Sequence, residues 1–148
     1  MSKRILSSSL VAAVALGAAA YGSLALASTP TEPTLEHGSA RYTAPSGSSA
    51  GSFTYTVDVS DDSGIRSLKV LPWPASSHLD PTEAELGRVE EAKCRSTSDG
   101  AARCTYTMKV TKREADLNKG TWHLSALATA KDGGTTFVPR ATTFDITR

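Results

Sequence analysis

The sequence predicts an all-β fold, an antiparallel β-sandwich of about seven short strands with one short helix inserted among them. Three observations predict it. Apolar and polar residues alternate along several stretches, turn residues separate these stretches at short intervals, and only one stretch carries a strong helix-start signal. Alternation of this kind is typical of strands that have one face on a core and the other in water.

The N-terminal segment precedes this fold and is expected to be a signal peptide helix. Met1–Arg4 is a short basic start, Ile5–Leu26 is uncharged and rich in Ala, Leu and Val, and Ala25-Leu26-Ala27 is a small-x-small pattern. This layout predicts a secretory signal peptide over residues 1–27, and the alternative is an uncleaved N-terminal anchor. Both interpretations place the rest of the chain outside the cytoplasm, secreted or associated with the cell envelope.

The remaining chain is expected to form a short linker and one domain. Residues 28–34 are rich in Thr and Pro and predict an extended linker, and residues 35–148 predict a single domain. The whole chain has 16 Lys and Arg against 15 Asp and Glu, and loss of Lys3 and Arg4 changes the formal charge from +1 to −1. Without a basic excess, nucleic acid is not expected as a partner. Membrane contact is expected only through an uncleaved N-terminal segment.

Three strands are predicted in the first half of the domain. They are Glu36–Tyr42, Ser52–Ser60 and Ile65–Leu71. Asp61-Asp62-Ser63-Gly64 joins the second to the third as a turn, because Asp and Ser side chains bond nearby backbone N–H groups and Gly tolerates positive φ. Pro72 and Pro74 are expected to end the pairing of the third strand, since proline has no N–H to donate.

One helix signal interrupts the strands. Asp80-Pro81-Thr82-Glu83 places an N-cap, a proline at the first helical position and a glutamate three residues after the cap. It predicts a short helix, Pro81–Glu91, lying over an edge of the sheet.

A hairpin is predicted over Cys94–Val110. A three-residue loop, Ser98-Asp99-Gly100, would place Cys94 directly opposite Cys104, at a separation that a disulfide can bridge. An isolated pair of cysteines in an exported chain is expected to form that disulfide.

The last part of the chain predicts a charged corner and two more strands. The corner is Lys112–Asn118, and the strands are Thr121–Lys131 and Thr135–Thr147. Lys131-Asp132-Gly133-Gly134 joins the strands as a turn. Pro139 marks a bulge or an edge in the last one.

Three stretches resemble signatures of bacterial immunoglobulin-like domains. They read VDVSDDSGIRSLKV at 57–70, LNKGTW at 117–122 and ATAKDG at 128–133. From its signal segment to Arg148 the chain also resembles a family of small secreted bacterial proteins of unknown function. The first resemblance implies an immunoglobulin-like sandwich, and the second implies no activity because none is assigned to that family. The cysteines depart from the inter-sheet bridge of antibody domains, because both lie on one hairpin.

Acidic residues are expected to gather at one end of such a sandwich. The loops that carry Asp61, Asp62, Asp99 and Asp132 would meet there, with Asp58 near the end of its strand. Clustered carboxylates repel one another, and a calcium ion would relieve that repulsion. A calcium site at Asp61, Asp62 and Asp132 is therefore one hypothesis, and ordinary turns are the other. No other cofactor is expected.

Trp73 is the candidate for contact with a partner. It lies between two prolines, and a rigid exposed indole there would anchor a protein or stack on a sugar. The alternative is that it packs beneath the predicted helix at the rim of the core, since large aromatic residues are highly buried on average.

The sequence contains no recognised catalytic pattern. No GxSxG or HExxH is present, and His37, His78 and His123 are the three histidines. The expected function is a non-enzymatic binding or structural module of the cell envelope, with an unidentified protein or glycan as partner. One alternative is a secreted protease inhibitor that uses Arg95–Arg103, and the other is a calcium-stabilised envelope module.

Overall fold

Two antiparallel sheets pack against each other in the computed structural model, which describes residues 29–148. The predicted signal peptide, residues 1–27, lies outside the described residues. The strands are β1 (Thr34–Thr43), β2 (Gly51–Ser60), β3 (Ile65–Pro74), β4 (Lys93–Ser98), β5 (Ala101–Val110), β6 (Gly120–Ala130) and β7 (Thr135–Ile146). The helices are α1 (Glu83–Leu86) and α2 (Lys112–Leu117), and a single 3₁₀ turn lies at Ala75–Ser77.

The strand order confirms the predicted fold class. One sheet has the order β1-β2-β5-β4 and the other the order β3-β6-β7. In the constant-type immunoglobulin sandwich, the first, second, fifth and fourth strands form one sheet, and the third, sixth and seventh form the other.

The core lies between the inner faces of the two sheets. The alternation predicted for β2 is present, with Phe53, Tyr55, Val57 and Val59 all buried. Phe53 stacks on Phe144 of β7, with the ring centroids 3.7 Å apart. Each such large side chain contributes about 1.5–3 kcal/mol on full burial, so this interior holds the sheets together.

The prediction that Pro72 and Pro74 end the pairing of β3 is wrong. β3 pairs with β6 through Pro72 opposite Leu124 and Pro74 opposite Trp122. The backbone of Val70, two residues before Pro72, points away from β6, because its N–H donates to the carbonyl of Glu90 outside the sheet. The backbone of Pro72 and Pro74 points to the same side as that of Val70, away from β6. Their missing N–H groups therefore break no hydrogen bond to β6, and at the sheet edge they hinder pairing with a further strand.

The predicted helix Pro81–Glu91 is shortened to the four residues of α1. Thr82, rather than Asp80, is the N-cap, and Glu85 completes the capping box with Thr82. Asp80 has a positive φ of 37°, which is incompatible with an N-cap. Gly87 ends the helix, in keeping with its low helix propensity.

The charged corner Lys112–Asn118 is a helix in the structure. Thr111 caps α2, accepting a hydrogen bond from the Glu114 backbone N–H, and the Glu114 side chain accepts one from the Thr111 N–H. Leu117, the last residue of α2, is 72% exposed, so the helix lacks the apolar stripe that normally identifies one in a sequence.

The predicted linker is partly built into the domain. β1 begins at Thr34, and Pro33 is fully buried. The Thr136 hydroxyl donates a hydrogen bond to the Pro33 carbonyl. Residues 31–34 are therefore part of the sandwich.

The hairpin carries the predicted disulfide. Cys94 lies opposite Cys104 in the β4–β5 register, and the two are bonded. The connection differs in detail, because a register shift lies between Ser96 and Ser98, and the turn is Asp99-Gly100, with Gly100 at a φ of +73°. At Pro139 the β6–β7 register also shifts, which agrees with the predicted bulge.

Candidate functional site

The outer face of the three-stranded sheet is covered by the chain itself. Residues 75–92, which we call the cover segment, contain α1, and the side chain of Leu86 is fully buried. The Lys69 ammonium donates to the Gly87 carbonyl at 2.9 Å, and the Thr135 hydroxyl donates to Glu83 at 2.8 Å. Because Lys69 lies on β3 and Thr135 on β7, the cover segment crosses the whole sheet, rather than lying over one edge as predicted.

Trp73 lies on this covered face and is 2% exposed. Its indole N–H donates to the Ser125 hydroxyl at 3.0 Å, and Ser125 donates in turn to the Pro139 carbonyl. The Arg140 guanidinium lies 5.9 Å from the centre of the indole ring and pairs with Asp80 at 3.0 Å. The hypothesis that Trp73 is an exposed contact residue is therefore wrong, and the alternative that it packs within the domain is confirmed.

The outer face of the four-stranded sheet is open. Its side chains form four rows across the strands, because the pairing register aligns them. From one end to the other, the rows are Thr43-Ser52-Lys109, Arg41-Thr54-Thr107, Ser39-Thr56-Thr105-Lys93 and Glu36-Asp58-Arg103-Arg95. We call this surface the threonine–cation face.

Four threonines occupy the middle of the threonine–cation face. Thr54 lies opposite Thr107, and Thr56 lies opposite Thr105. All four side chains are half-buried or exposed. Their hydroxyl groups can donate or accept hydrogen bonds. The aromatic side chains of β1, β2 and β5 have the opposite parity and lie toward the core.

The threonine–cation face is positively charged, whereas the rest of the domain is negatively charged. Residues 29–148 hold 14 of the 16 Lys and Arg and all 15 Asp and Glu, a net charge of −1. The face carries five of these cations and two of these acids, so its net charge is +3 and the remainder is −4. This separation of charge is absent from the composition, which is nearly neutral.

One cation of the face forms an ion pair and four do not, and the charge of Lys109 helps to lower the pKa of Glu114. The Arg103 guanidinium holds both carboxylate oxygens of Asp58, at 2.8 and 3.0 Å. Hydrogen bonds from Arg103, its charge and the nearby His37 hold the pKa of Asp58 below its ordinary value. No carboxylate of residues 29–148 lies within 4.0 Å of the other four cations, which are Arg41, Lys93, Arg95 and Lys109.

A cleft with a volume of about 860 Å³ lies on the β4–β5 side of this face. Most of its wall is formed by outward-facing residues of β4 and β5, which are Lys93, Arg95, Thr97, Arg103, Thr105 and Thr107. Glu90 and Glu91 of the cover segment form its acidic margin, together with Tyr106, whose hydroxyl donates to Glu90 at 3.3 Å. β4 begins at Lys93, opposite Thr105, so β5 beyond Thr105 has no partner strand on that side.

The predicted acidic loop end also forms, but its carboxylates are used internally. Asp61 accepts hydrogen bonds from the Ser63 and Thr31 hydroxyls, and these hold the pKa of Asp61 below its ordinary value. Asp132 accepts from the backbone N–H groups of Thr31 and Gly134. Thr31 therefore occupies the space between two of the predicted metal ligands.

Asp62 and Asp99 lie nearby and line one shallow pocket with Asp61. Within residues 29–148, no group of three or more His, Cys, Asp or Glu side chains is arranged to hold a metal ion. The geometry at this end is that of hydrogen-bonded turns, which was the alternative to a calcium site.

The segment Arg95–Arg103 does not form a projecting loop. It consists of parts of β4 and β5 joined by Asp99-Gly100. A Cβ atom on Gly100 would lie 2.6 Å from the Asp61 carbonyl, so the turn is packed tightly against the β2–β3 connection. Inhibitory loops need an extended exposed segment, and this geometry gives no support to the inhibitor alternative.

Comparison with known proteins gives one match. The family described as "Family of unknown function (DUF5707)" matches residues 35–128. No curated protein and no solved structure matches this chain. No helix within residues 29–148 is long and apolar enough to cross a membrane.

Proposed function

We propose that this chain, which belongs to the DUF5707 family of unknown function, is an exported, non-enzymatic binding module of the cell envelope whose binding surface is the threonine–cation face. The observation that carries the proposal is the difference between the two outer faces. One is covered by the cover segment, and the other is open, bordered by the cleft of about 860 Å³ and opposite in charge to the rest of the domain.

The open face has the properties of a ligand-binding surface rather than of a merely solvated sheet. A solvated face generally carries both signs of charge in balance, whereas this face has five cations against Glu36 and Asp58, and four of the cations form no ion pair within residues 29–148. A patch with one sign of charge attracts partners of the opposite sign and increases their rate of association.

The histidines support a non-enzymatic role. The His123 ring packs against Trp73, with the ring centroids 4.7 Å apart, and its Nδ1 lies 3.1 Å from the Thr143 hydroxyl. His37 lies 3.4 Å from Asp58, which is already held by Arg103. Neither arrangement provides the nucleophile, base and orienting group that nucleophilic catalysis requires.

Export is supported by the N-terminal sequence pattern and by the disulfide. Disulfides persist in oxidising compartments and are rare in the cytosol of mesophiles, so a bonded Cys94–Cys104 pair favours an extracellular location. The calcium and protease-inhibitor alternatives have no comparable support, because Asp61 and Asp132 are engaged with Thr31 and the hairpin lacks a projecting loop.

A pull-down from envelope fractions tests the proposal. The bait is the mature domain, and the face variant is R41Q/K93Q/R95Q/K109Q. The control variant, R88Q/K112Q/R113Q/K131Q, removes the same numbers of Arg and Lys at exposed positions outside the face.

We expect the wild type and the control variant to retain the same envelope component and the face variant to lose it. Retention by all three proteins would contradict the assignment of the surface. Retention by none would contradict the proposed binding function.

A further inference from the structure

We propose that the ligand of the threonine–cation face is a carboxylated polysaccharide chain, lying across β5 and β2. This inference rests on the proposed function, since it names the ligand class of the same surface. Three properties of the face carry it: the spacing of its cations, the hydroxyl groups between them and the absence of an aromatic side chain from its four rows.

The spacing of the cations favours a polymer over a small anion. Arg95 lies directly opposite Arg103 and two residues from Lys93, so these three cations form a cluster. Arg41 is three strand spacings from Lys93, about 14 Å, and Lys109 is six residues from Arg103 along β5, about 20 Å. A small anion at the cluster would contact neither Arg41 nor Lys109. A chain with charges distributed along its length can contact several at once, with no rearrangement of the sheet.

The low charge density distinguishes the ligand from nucleic acid. Duplex DNA carries one negative charge for about every 1.7 Å of its axis, and its binding proteins present a correspondingly dense basic surface. Here four cations without an ion pair lie on the face of a domain whose net charge is −1. A glycan with at most one carboxylate on each sugar unit has a lower charge density than duplex DNA and needs fewer cations to bind it.

The threonine rows favour a sugar polymer over other polyanions. Thr54, Thr56, Thr105 and Thr107 form a two-by-two block between the cations, and each hydroxyl can pair with a sugar hydroxyl. Neutral glycans are commonly held by stacking on aromatic rings, and the rows of this face contain none. Ionic contacts must therefore supply the anchoring that stacking would otherwise provide.

The backbone of the face favours carboxylate over phosphate. Arg103 holds the Asp58 carboxylate with two hydrogen bonds, but the same guanidinium fork binds phosphate, so this contact does not decide between them. Phosphate sites usually add several backbone N–H groups at a loop or a helix start, whereas the face is built from paired strands. Glu90 and Glu91 at the cleft margin would repel an anionic chain beyond β4, so the chain is expected to lie over β5 and β2, with Lys93 and Arg95 on one side and Arg41 and Lys109 on the other.

Affinity electrophoresis with defined polymers tests the inference. The probes are polygalacturonate, neutral dextran, polyphosphate and duplex DNA, and the proteins are the wild type, the face variant and the control variant described above. We expect polygalacturonate alone to retard the wild type and the control variant. Its apparent affinity should fall about thirtyfold in the face variant, as expected for the loss of four exposed ion pairs.

The hydroxyl contribution is tested with T54V/T107V, which keeps the β-branched shape and removes two hydroxyl groups. We expect it to bind polygalacturonate more weakly than the wild type at the same unfolding midpoint. Affinity equal to that of the wild type would overturn the role assigned to the threonine block.

The outcomes separate this inference from the proposed function. Equal retardation by polyphosphate or DNA, or binding of dextran, would overturn the carboxylated glycan as ligand. If no defined polymer binds while the envelope component is still lost in the face variant, the inference fails and the proposed function stands. If the face variant retains the envelope component, the proposed function fails with it.

Discussion

Reduction of the Cys94–Cys104 disulfide is expected to lower the free energy of unfolding by about 3 kcal/mol. The cysteines are 10 residues apart in the sequence, and the loop-closure entropy that the bond removes from the unfolded chain gives this value. Few other contacts of β4 in the native state would hold the hairpin once the bond is reduced. β4 is an edge strand that pairs with β5 alone, and all six of its residues are exposed.

Urea unfolding of the oxidised and the reduced protein measures the effect. With a denaturant slope of about 1–3 kcal/mol per molar urea, the midpoint should fall by about 1–3 M on reduction. The variant C94A/C104A is the control and should not respond to the reductant. A loss below about 1 kcal/mol would refute the reasoning, because the hairpin would then be held by contacts other than the bond.

Three further predictions concern the cover segment, the acid limit and the N-terminal contact. Leu86→Ala should lower the free energy of unfolding by about 2–5 kcal/mol, because it opens a cavity under the cover segment. Leu79→Ala, at a side chain that is 52% exposed, should change it by less than about 0.5 kcal/mol. In a pH series of urea unfolding, stability should be lost as the pH falls below about 4, since Asp58 and Asp61 have lowered pKa values in the folded state. Their contribution is fully present above the ordinary Asp pKa of about 3.9 and is lost as the pH falls through the lowered values. The double variant D58N/D61N should flatten this acid limb, and an unchanged slope would contradict the assignment. Thr31→Val should increase amide hydrogen exchange in residues 29–34, whereas unchanged protection would show that the hydroxyl does not hold this segment.

The strands and the disulfide could be predicted because their signals are local. Alternation in β2 identifies its buried face without knowledge of the partner strand, and Phe53 and Val57 are indeed in the core. Cys94 and Cys104 fix a register between neighbouring strands, because only directly opposed residues satisfy the bond. The register was correct even though the details of the turn were not.

The helices were harder to predict. The sequence analysis places the N-cap at Asp80, whereas the chain turns there with a positive φ and the capping box is formed by Thr82 and Glu85. For α2 the capping box of Thr111 and Glu114 was present in the sequence, but without an apolar stripe it was a weak signal.

The threonine–cation face could not be predicted from the sequence. Arg41, Lys93 and Lys109 lie on three different strands and are distant in the sequence, so only the pairing register aligns them. Each is an ordinary polar residue in its own strand. For Trp73 the sequence leaves two interpretations open, an exposed contact and packing beneath the predicted helix, and its burial in the structure excludes the first.

Chemical-shift mapping on the ¹⁵N-labelled domain is the most direct test that the threonine–cation face is the binding surface. During titration with polygalacturonate or with soluble envelope glycan, we predict that the largest amide shifts cluster at Thr54, Thr56, Thr105 and Thr107 and on the adjoining residues of β1 and β4. Shifts concentrated in residues 75–92 or at the Asp61–Asp132 end, with these threonines unchanged, would contradict the account.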